Sequence, residues 1–208
     1  MKKKYICGIA LVVILIAGIL SGPIMSNVEQ AHYEVVKFDG NFEIRDYAPM
    51  IVAQTEVSGE RKEAISKGFR IIADYIFGNN IAGQKVAMTA PVMQGPGQKI
   101  AMTAPLTQKA EGNSWMVRFV MPSQYTLVSL PRPANPAVKL TEVPGKRFAV
   151  IRFSGLANAE SLKQHEVELR AYLDRNHLVA AGQATYAFFN PPWTLPFLRR
   201  NEIMVELK

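Results

Sequence analysis

The sequence predicts an antiparallel α+β architecture built by duplication, and three observations lead there. Phe42 to Gly59 and Val138 to Gly155 are extended stretches of the same length, each interrupted by a proline-containing break (Ala48-Pro49, Pro144-Gly145) and each ending in Ser-Gly. Aligned on Gly59 and Gly155, their apolar positions coincide: Ile44 with Leu140, Val52 with Phe148, Ala53 with Ala149, Val57 with Phe153. A helical periodicity follows each stretch, and further extended segments follow each helix. Strand-strand, helix, strand-strand, run twice, gives segregated helices on an antiparallel sheet.

Ahead of this body lies a segment of different character. Lys2, Lys3 and Lys4 precede Tyr5 to Leu20, in which every residue is apolar or glycine, and no charge occurs between Lys4 and Glu29. About 20 apolar residues suffice to cross a bilayer, and a cleaved signal has a core of only about 7–15. Both Leu20-Ser21-Gly22 and Ile24-Met25-Ser26 put a bulky residue where a cleavage site needs a small one. Residues 1–26 therefore read as a signal anchor, with a removed signal peptide as the alternative. Residues 27–208 form the exported body, periplasmic or secreted if the signal is cleaved, and the lysines stay on the cytoplasmic side. Cys7, the only cysteine, lies before most of the apolar run, a position that argues against lipidation. The body has no cysteine, and so no disulfide, thiolate nucleophile or iron–sulfur cluster.

From about Gly22 to Ala31 the chain reads as a short tether. The first extended copy then leads into a helix with two adjacent apolar stripes: Ile65, Phe69, Ile72 and Ile76, beside Ala64, Gly68, Ile71 and Tyr75. That is wider than one sheet contact needs. The flank is available to a ligand groove, or the helix is simply deeply covered. Next, a nine-residue phrase occurs twice: Gln84-Lys85-Val86-Ala87-Met88-Thr89-Ala90-Pro91-Val92, then Gln98-Lys99-Ile100-Ala101-Met102-Thr103-Ala104-Pro105-Leu106. Gly95-Pro96-Gly97 between them can reverse the chain, so the pair reads as hairpin-like extended segments ending at prolines. Ser114 to Met121 reads as a strand. The second helix carries Leu162, Leu169, Tyr172 and Leu173 on one stripe, with Asn158 or Ser161 as N-cap. Ala184 to Phe189 and Glu202 to Leu207 are the closing strands.

Phe42-Glu43-Ile44-Arg45-Asp46-Tyr47, the paired Ala-Met-Thr-Ala-Pro phrases, and Asn190-Pro191-Pro192-Trp193 running into Arg199-Arg200-Asn201-Glu202 occur in that order. On these motifs the chain, over roughly residues 33 to 208, resembles the SOUL/haem-binding protein family. The resemblance implies two βαββ repeats related by a pseudo-two-fold axis, forming a distorted antiparallel barrel with two flanking helices. It also implies non-covalent binding of haem or a related tetrapyrrole in an apolar groove beside the first helix and the Pro-Pro loop. The matching positions here are Phe69, Ile72, Ala73 and Ile76, with Trp193 on the loop. Some members carry a histidine where this chain has Asp46, and a basic residue where it has Asp74. Arg70 and Lys67 are the local substitutes for the latter.

Other chemistry is sparse. His165 falls on the apolar stripe of the second helix, where an imidazole either ligates iron or is a hydrogen-bonded structural residue. His32 and His177 read as surface residues. Met88 and Met102 read as core fillers, and Thr89 and Thr103 as hydroxyls bonded to local backbone. Gly78 to Lys85 misses a phosphate loop, because Gln84 separates the glycine from the lysine. Covalent haem attachment, a Gly-x-Ser-x-Gly elbow and a zinc-protease helix have no matching motif. Setting aside Lys2, Lys3 and Lys4 lowers the net charge from +7 to +4, on scattered basic residues, which does not read as a nucleic-acid surface. The reading is a carrier that stores, buffers or transfers a flat apolar ligand, with no catalytic residue assigned. The alternatives are a small-molecule hydrolase or isomerase using a pocket carboxylate such as Glu56, and an envelope scaffold with no small ligand.

Overall fold

The structure is a computed structural model and describes residues 28–81 and 97–208. The N-terminal apolar segment, Cys7 and the first copy of the repeated phrase lie outside the described residues.

The first half contains β1 (Tyr33–Asp39), β2 (Phe42–Tyr47), β3 (Met50–Ser58), α1 (Arg61–Ile76), β4 (Asn80–Ile81), β5 (Leu106–Glu111) and β6 (Ser114–Val120). After β7 (Arg132–Pro133) come β8 (Lys139–Val143), β9 (Lys146–Phe153), α2 (Ala159–Arg175), β10 (Thr185–Phe188) and β11 (Asn201–Glu206). Among the described residues, nine strands form one sheet in the order β1-β2-β9-β11-β10-β5-β6-β3-β8, and β4 pairs with β7 separately.

This order dictates the shape. Only Ala48 and Pro49 join β2 to β3, yet these strands stand second and eighth in the sheet. A two-residue connection reaches about 10 Å between its flanking Cα atoms, so the two ends of the sheet must curl towards each other. Pro144 and Gly145 make the same bridge between β8 and β9. Gly145 is required there, since a Cβ on it would lie 2.8 Å from the Tyr47 carbonyl oxygen. The result is a curled, antiparallel half-barrel.

The register carries the duplication. Ile44 faces Ala149 in the β2–β9 pair, and Ala53 faces Leu140 in the β3–β8 pair. The alignment that sets Ile44 on Leu140 also sets Ala53 on Ala149, so each pair maps onto the other.

Alternation along the strands then sorts the core. Ile44, Ala149, Ile151, Ile203 and Val205 pack beneath α2. Ala53, Val117 and Phe119 pack beneath α1. The intervening Tyr47, Val150, Ala187 and Met204 share a cluster with Met50 and Val120, from strands far away in the sheet order. Such a cluster can form only on the inner side of the curl.

The second helix follows the sequence reading: the Asn158 side chain accepts from the Ser161 backbone N–H at 2.8 Å, and Leu162, Leu169, Tyr172 and Leu173 are its buried residues. The first helix buries Ala64, Gly68, Ile72, Ala73, Tyr75 and Ile76, a face that straddles the two expected stripes. Its small residues set this orientation, because Gly68 lies against Val117 so closely that an added Cβ would sit 2.6 Å from a Val117 methyl. Ile65 and Ile71 become half-buried flanks.

Two differences from expectation stand out. β1 is an added edge strand, with Val35, Val36 and Phe38 exposed. The second repeated phrase is not a strand before Leu106. Its polar backbone is taken elsewhere: the Ile100 N–H donates to the Ile76 carbonyl at 2.9 Å, Gln98 exchanges bonds with the Asn80 amide, and Ala104 bridges Gln30. Pro105 then removes the donor that a ladder would need.

Candidate functional site

α1 lies over β3 and β6, and α2 over β9 and β11, which leaves the central strands β5 and β10 between them. Across this face the register sets Phe153, Asn201, Phe188, Leu106 and Phe119 side by side on successive strands. At about 4.8 Å per strand the row is about 19 Å long. Phe119 is buried at one end, while Leu106, Phe188 and Phe153 are half-buried. The buried Asn201 amide interrupts the row and donates to the Gly155 carbonyl, just past the end of β9, at 3.1 Å.

Two residues expected from sequence flank this row. Phe69, 37% exposed, places its ring 5.8 Å from Phe119. At the other end His165 stacks on Phe153, with ring centres 4.0 Å apart. The His165 Nδ1 lies 3.1 Å from a Glu168 carboxylate oxygen. A proton held on Nδ1 by that carboxylate leaves the Nε2 lone pair free, the arrangement in which a ligating histidine is usually held. Nearby, the Tyr186 hydroxyl donates to Glu166 at 2.9 Å, and Arg61 lies over the Tyr186 ring at 5.9 Å.

The remaining expected residues are placed differently. Ile72, Ala73 and Ile76 belong to the core beneath α1 rather than to an open wall. Arg70 is exposed, its Nε donating to the Ser66 carbonyl at 3.3 Å. Trp193 is 61% exposed on the loop between β10 and β11. That loop is clasped by Arg199, which donates to the Thr194 carbonyl at 2.7 Å, and is tied to the end of β9 by Gly155 N–H to the Pro196 carbonyl at 2.8 Å. It thus stands at the Phe153 end of the row, and no ring contact joins Trp193 to Phe69. Asp46 is engaged by Arg147 through two bonds of 2.6 Å. Glu56 is exposed and accepts from the Ser114 hydroxyl. Met102 packs against the core beneath α1, and the Thr103 hydroxyl donates to the Val120 carbonyl.

Sequence reasoning missed what the charged residues of the recurring motifs do. Arg45 and Glu202, both fully buried, form a bidentate pair at 2.8 and 3.0 Å on the inner face. Arg45 Nε also reaches Glu43 at 2.6 Å, and Arg200 Nε donates to Glu202 at 2.8 Å. Arg200 in turn contacts Gln30 and the Tyr33 hydroxyl. Burial, together with the neighbouring Glu202 and opposed by Arg45, pushes the Tyr47 hydroxyl up to about 12. The first and last motifs are therefore two halves of one internal clamp. The available signal was the placement of Glu43 and Arg45 at alternate positions of β2 and of Glu202 near the start of β11.

Among the described residues there is no cluster of three or more His, Cys, Asp or Glu that could hold a metal by protein ligands alone. Within the same residues no helix is long and apolar enough to cross a membrane.

The sequence profile described as SOUL heme-binding protein matches residues 28–206. No curated protein sequence matches the chain. Among solved structures, the EcmrR C-terminal domain superposes with a TM-score of 0.56 at 10% identity, covering 85% of this chain and 98% of that one. A hydrolase from Listeria innocua gives 0.55 at 9% identity, covering 83% and 94%. EcmrR in a complex with DNA gives 0.55 at 12% identity, covering 80% of this chain and 57% of that one. At these identities the likeness is one of fold.

Proposed function

We propose, from the premise that this chain belongs to the SOUL haem-binding protein family, that it binds haem or a related flat tetrapyrrole non-covalently on the face between its two helices. The observation that carries this reading is the half-buried apolar row between α1 and α2, flanked by Phe69 and His165. A porphyrin needs a broad apolar surface with a few polar groups at its margin, and the residues present fit that need. Leu106, Phe188 and Phe153 would cover one ring face and exclude water. Arg70 and Arg61, on α1, are the cations available to propionates. His165 would offer Nε2 to iron, with Glu168 holding the proton on Nδ1. Bound haem would supply a redox-active iron and its visible absorption. The chain's own part is to bind and shield it, which suits storage, buffering or transfer. In this reading the N-terminal segment tethers the exported body to a membrane.

The test is a hemin titration of the full chain in lipid nanodiscs, against empty nanodiscs, followed at the Soret band. A saturable shift at one equivalent is expected. Phe69→Asp should weaken affinity about tenfold, since it sets a charge against an apolar ligand face. His165→Ala should move the Soret maximum while leaving the circular dichroism of the apoprotein unchanged. Affinity unaltered by Phe69→Asp would remove the ligand from this face. No observation favours the hydrolase reading through Glu56 over this one.

A further inference from the structure

A second concavity lies where the curl of the sheet closes, apart from the helices. It has a volume of about 650 Å³ and is walled by Ala31, Pro49, Met50, Val120, Met121 and Pro144. That volume is in the range of small-molecule sites, about 300–1,000 Å³. The two proline turns that bridge the ends of the sheet form part of its rim, and the close fit of Gly145 against Tyr47 fixes them relative to each other.

Its charges are one-sided. Glu29 and Glu142 line it, with His32 and Tyr125, and among the described residues neither lysine nor arginine does. Away from its first four residues the chain is otherwise basic, at +4. Glu29 accepts from the Ser123 backbone N–H at 2.8 Å through one oxygen only. Glu142 is exposed on β8, opposite Ile51 of β3. Glu29 and Glu142 are exposed carboxylates at the edge of a partly apolar concavity, and with no lysine or arginine among its described lining residues their field favours a positive guest and opposes an anionic one.

We propose that this cavity is a second ligand site, selective for an organic cation with an apolar, drug-sized body. The pliable thioethers of Met50 and Met121 would adapt to the body of such a guest, and Glu29 and Glu142 would balance its charge. A dianionic tetrapyrrole is disfavoured here, so the site is independent of the one between the helices.

Ethidium, a planar aromatic cation, is the probe, and fluorescein its anionic counterpart. Both are titrated by fluorescence anisotropy into the full chain in nanodiscs of zwitterionic lipid, against empty nanodiscs. Ethidium should saturate at one equivalent and fluorescein should not bind. The double variant Glu29→Gln/Glu142→Gln should weaken ethidium about tenfold through lost charge attraction. It keeps the acceptor that holds Ser123. Ala48→Trp, at an exposed rim position whose backbone bond to His32 is retained, should block ethidium by filling the cavity. Unsaturable ethidium binding, equal binding of fluorescein, or affinity untouched by either variant would overturn the proposal. Hemin titration of the same variants separates it from the haem reading: hemin binding should persist in both. Joint loss of hemin and ethidium would show one site in place of two.

Discussion

A guanidinium without solvent contact survives in a fold only if every charge around it is matched. Arg45 meets this condition through Glu202, Glu43 and the Tyr47 hydroxyl, and its ring-stacking partner Tyr33 covers one face at 4.4 Å. Burial opposes the charge, but the bonds to Glu202 outweigh it and hold Arg45 protonated. Removing one partner leaves an uncompensated charge in the interior. Glu202→Gln should therefore destabilise the protein by about 3–5 kcal/mol, measured as a lower midpoint in urea unfolding. The double variant Arg45→Met/Glu202→Leu should recover part of that loss: the two fully buried charges are gone together, while Glu43 and Arg200, at 13% and 17% side-chain exposure, lose a partner at positions that water still reaches. A double variant as unstable as the single one would contradict this account. The pair was not legible in the sequence: Arg45 is one of three charges in β2, and its partner is 157 residues away.

Among the elements, α1 shows how helix packing decides which side chains remain for a ligand. Gly68 lets the helix settle on Val117, and this turns Ile72 and Ile76 inward and leaves Phe69 at the edge. Alanine at this position raises helix propensity by about 1 kcal/mol, yet its methyl would collide with a fully buried valine. Gly68→Ala should be destabilising by about 1–3 kcal/mol, as overpacking usually is; a rise in the urea midpoint would show that the helix can shift without cost. Periodicity made the buried face of α2 legible, and its cap, Asn158, was one of the two residues the sequence offered. The same periodicity predicted the face of α1 less well, because two stripes of similar polarity left its rotation to be settled by side-chain size. Of the inter-helix row, Phe69 and His165 were visible on their helices. Phe188, Leu106 and Phe153 were not, since only strand register brings them together. The second repeated phrase looked like a strand and is instead anchored by Asn80 and the end of α1.

At the scale of the whole molecule, burial of phenols makes stability depend on alkaline pH. Tyr47, Tyr75 and Tyr186 are each pushed up to about 12, in each case mainly by burial. They lie in three separate places: on the inner face, beneath α1 and between the helices. An unfolded tyrosine titrates near 10. Between these values the native state keeps protons that the unfolded chain has lost. The stabilisation is complete below about pH 10 and is lost as pH rises towards 12. Unfolding in urea should thus show a midpoint that falls from pH 9 to pH 11. Absorbance of tyrosinate at 295 nm should reveal three phenols that ionise late. A midpoint that does not change over this interval would show that these phenols are reached by solvent.

The bridging turns have a consequence for how the protein is made. A ribosome delivers β2 and β3 long before β8 and β9, the strands that cover them across the closing curl. Until the second half emerges, the nascent first half carries bare edges on β2, β3 and β5 that can pair with any neighbouring chain. The order of synthesis prolongs exposure to misassembly: β8 and β9 cover β3 and β2 almost at once, but the far edge of β9 and the edge of β5 stay bare until β10 and β11 close the gap between them.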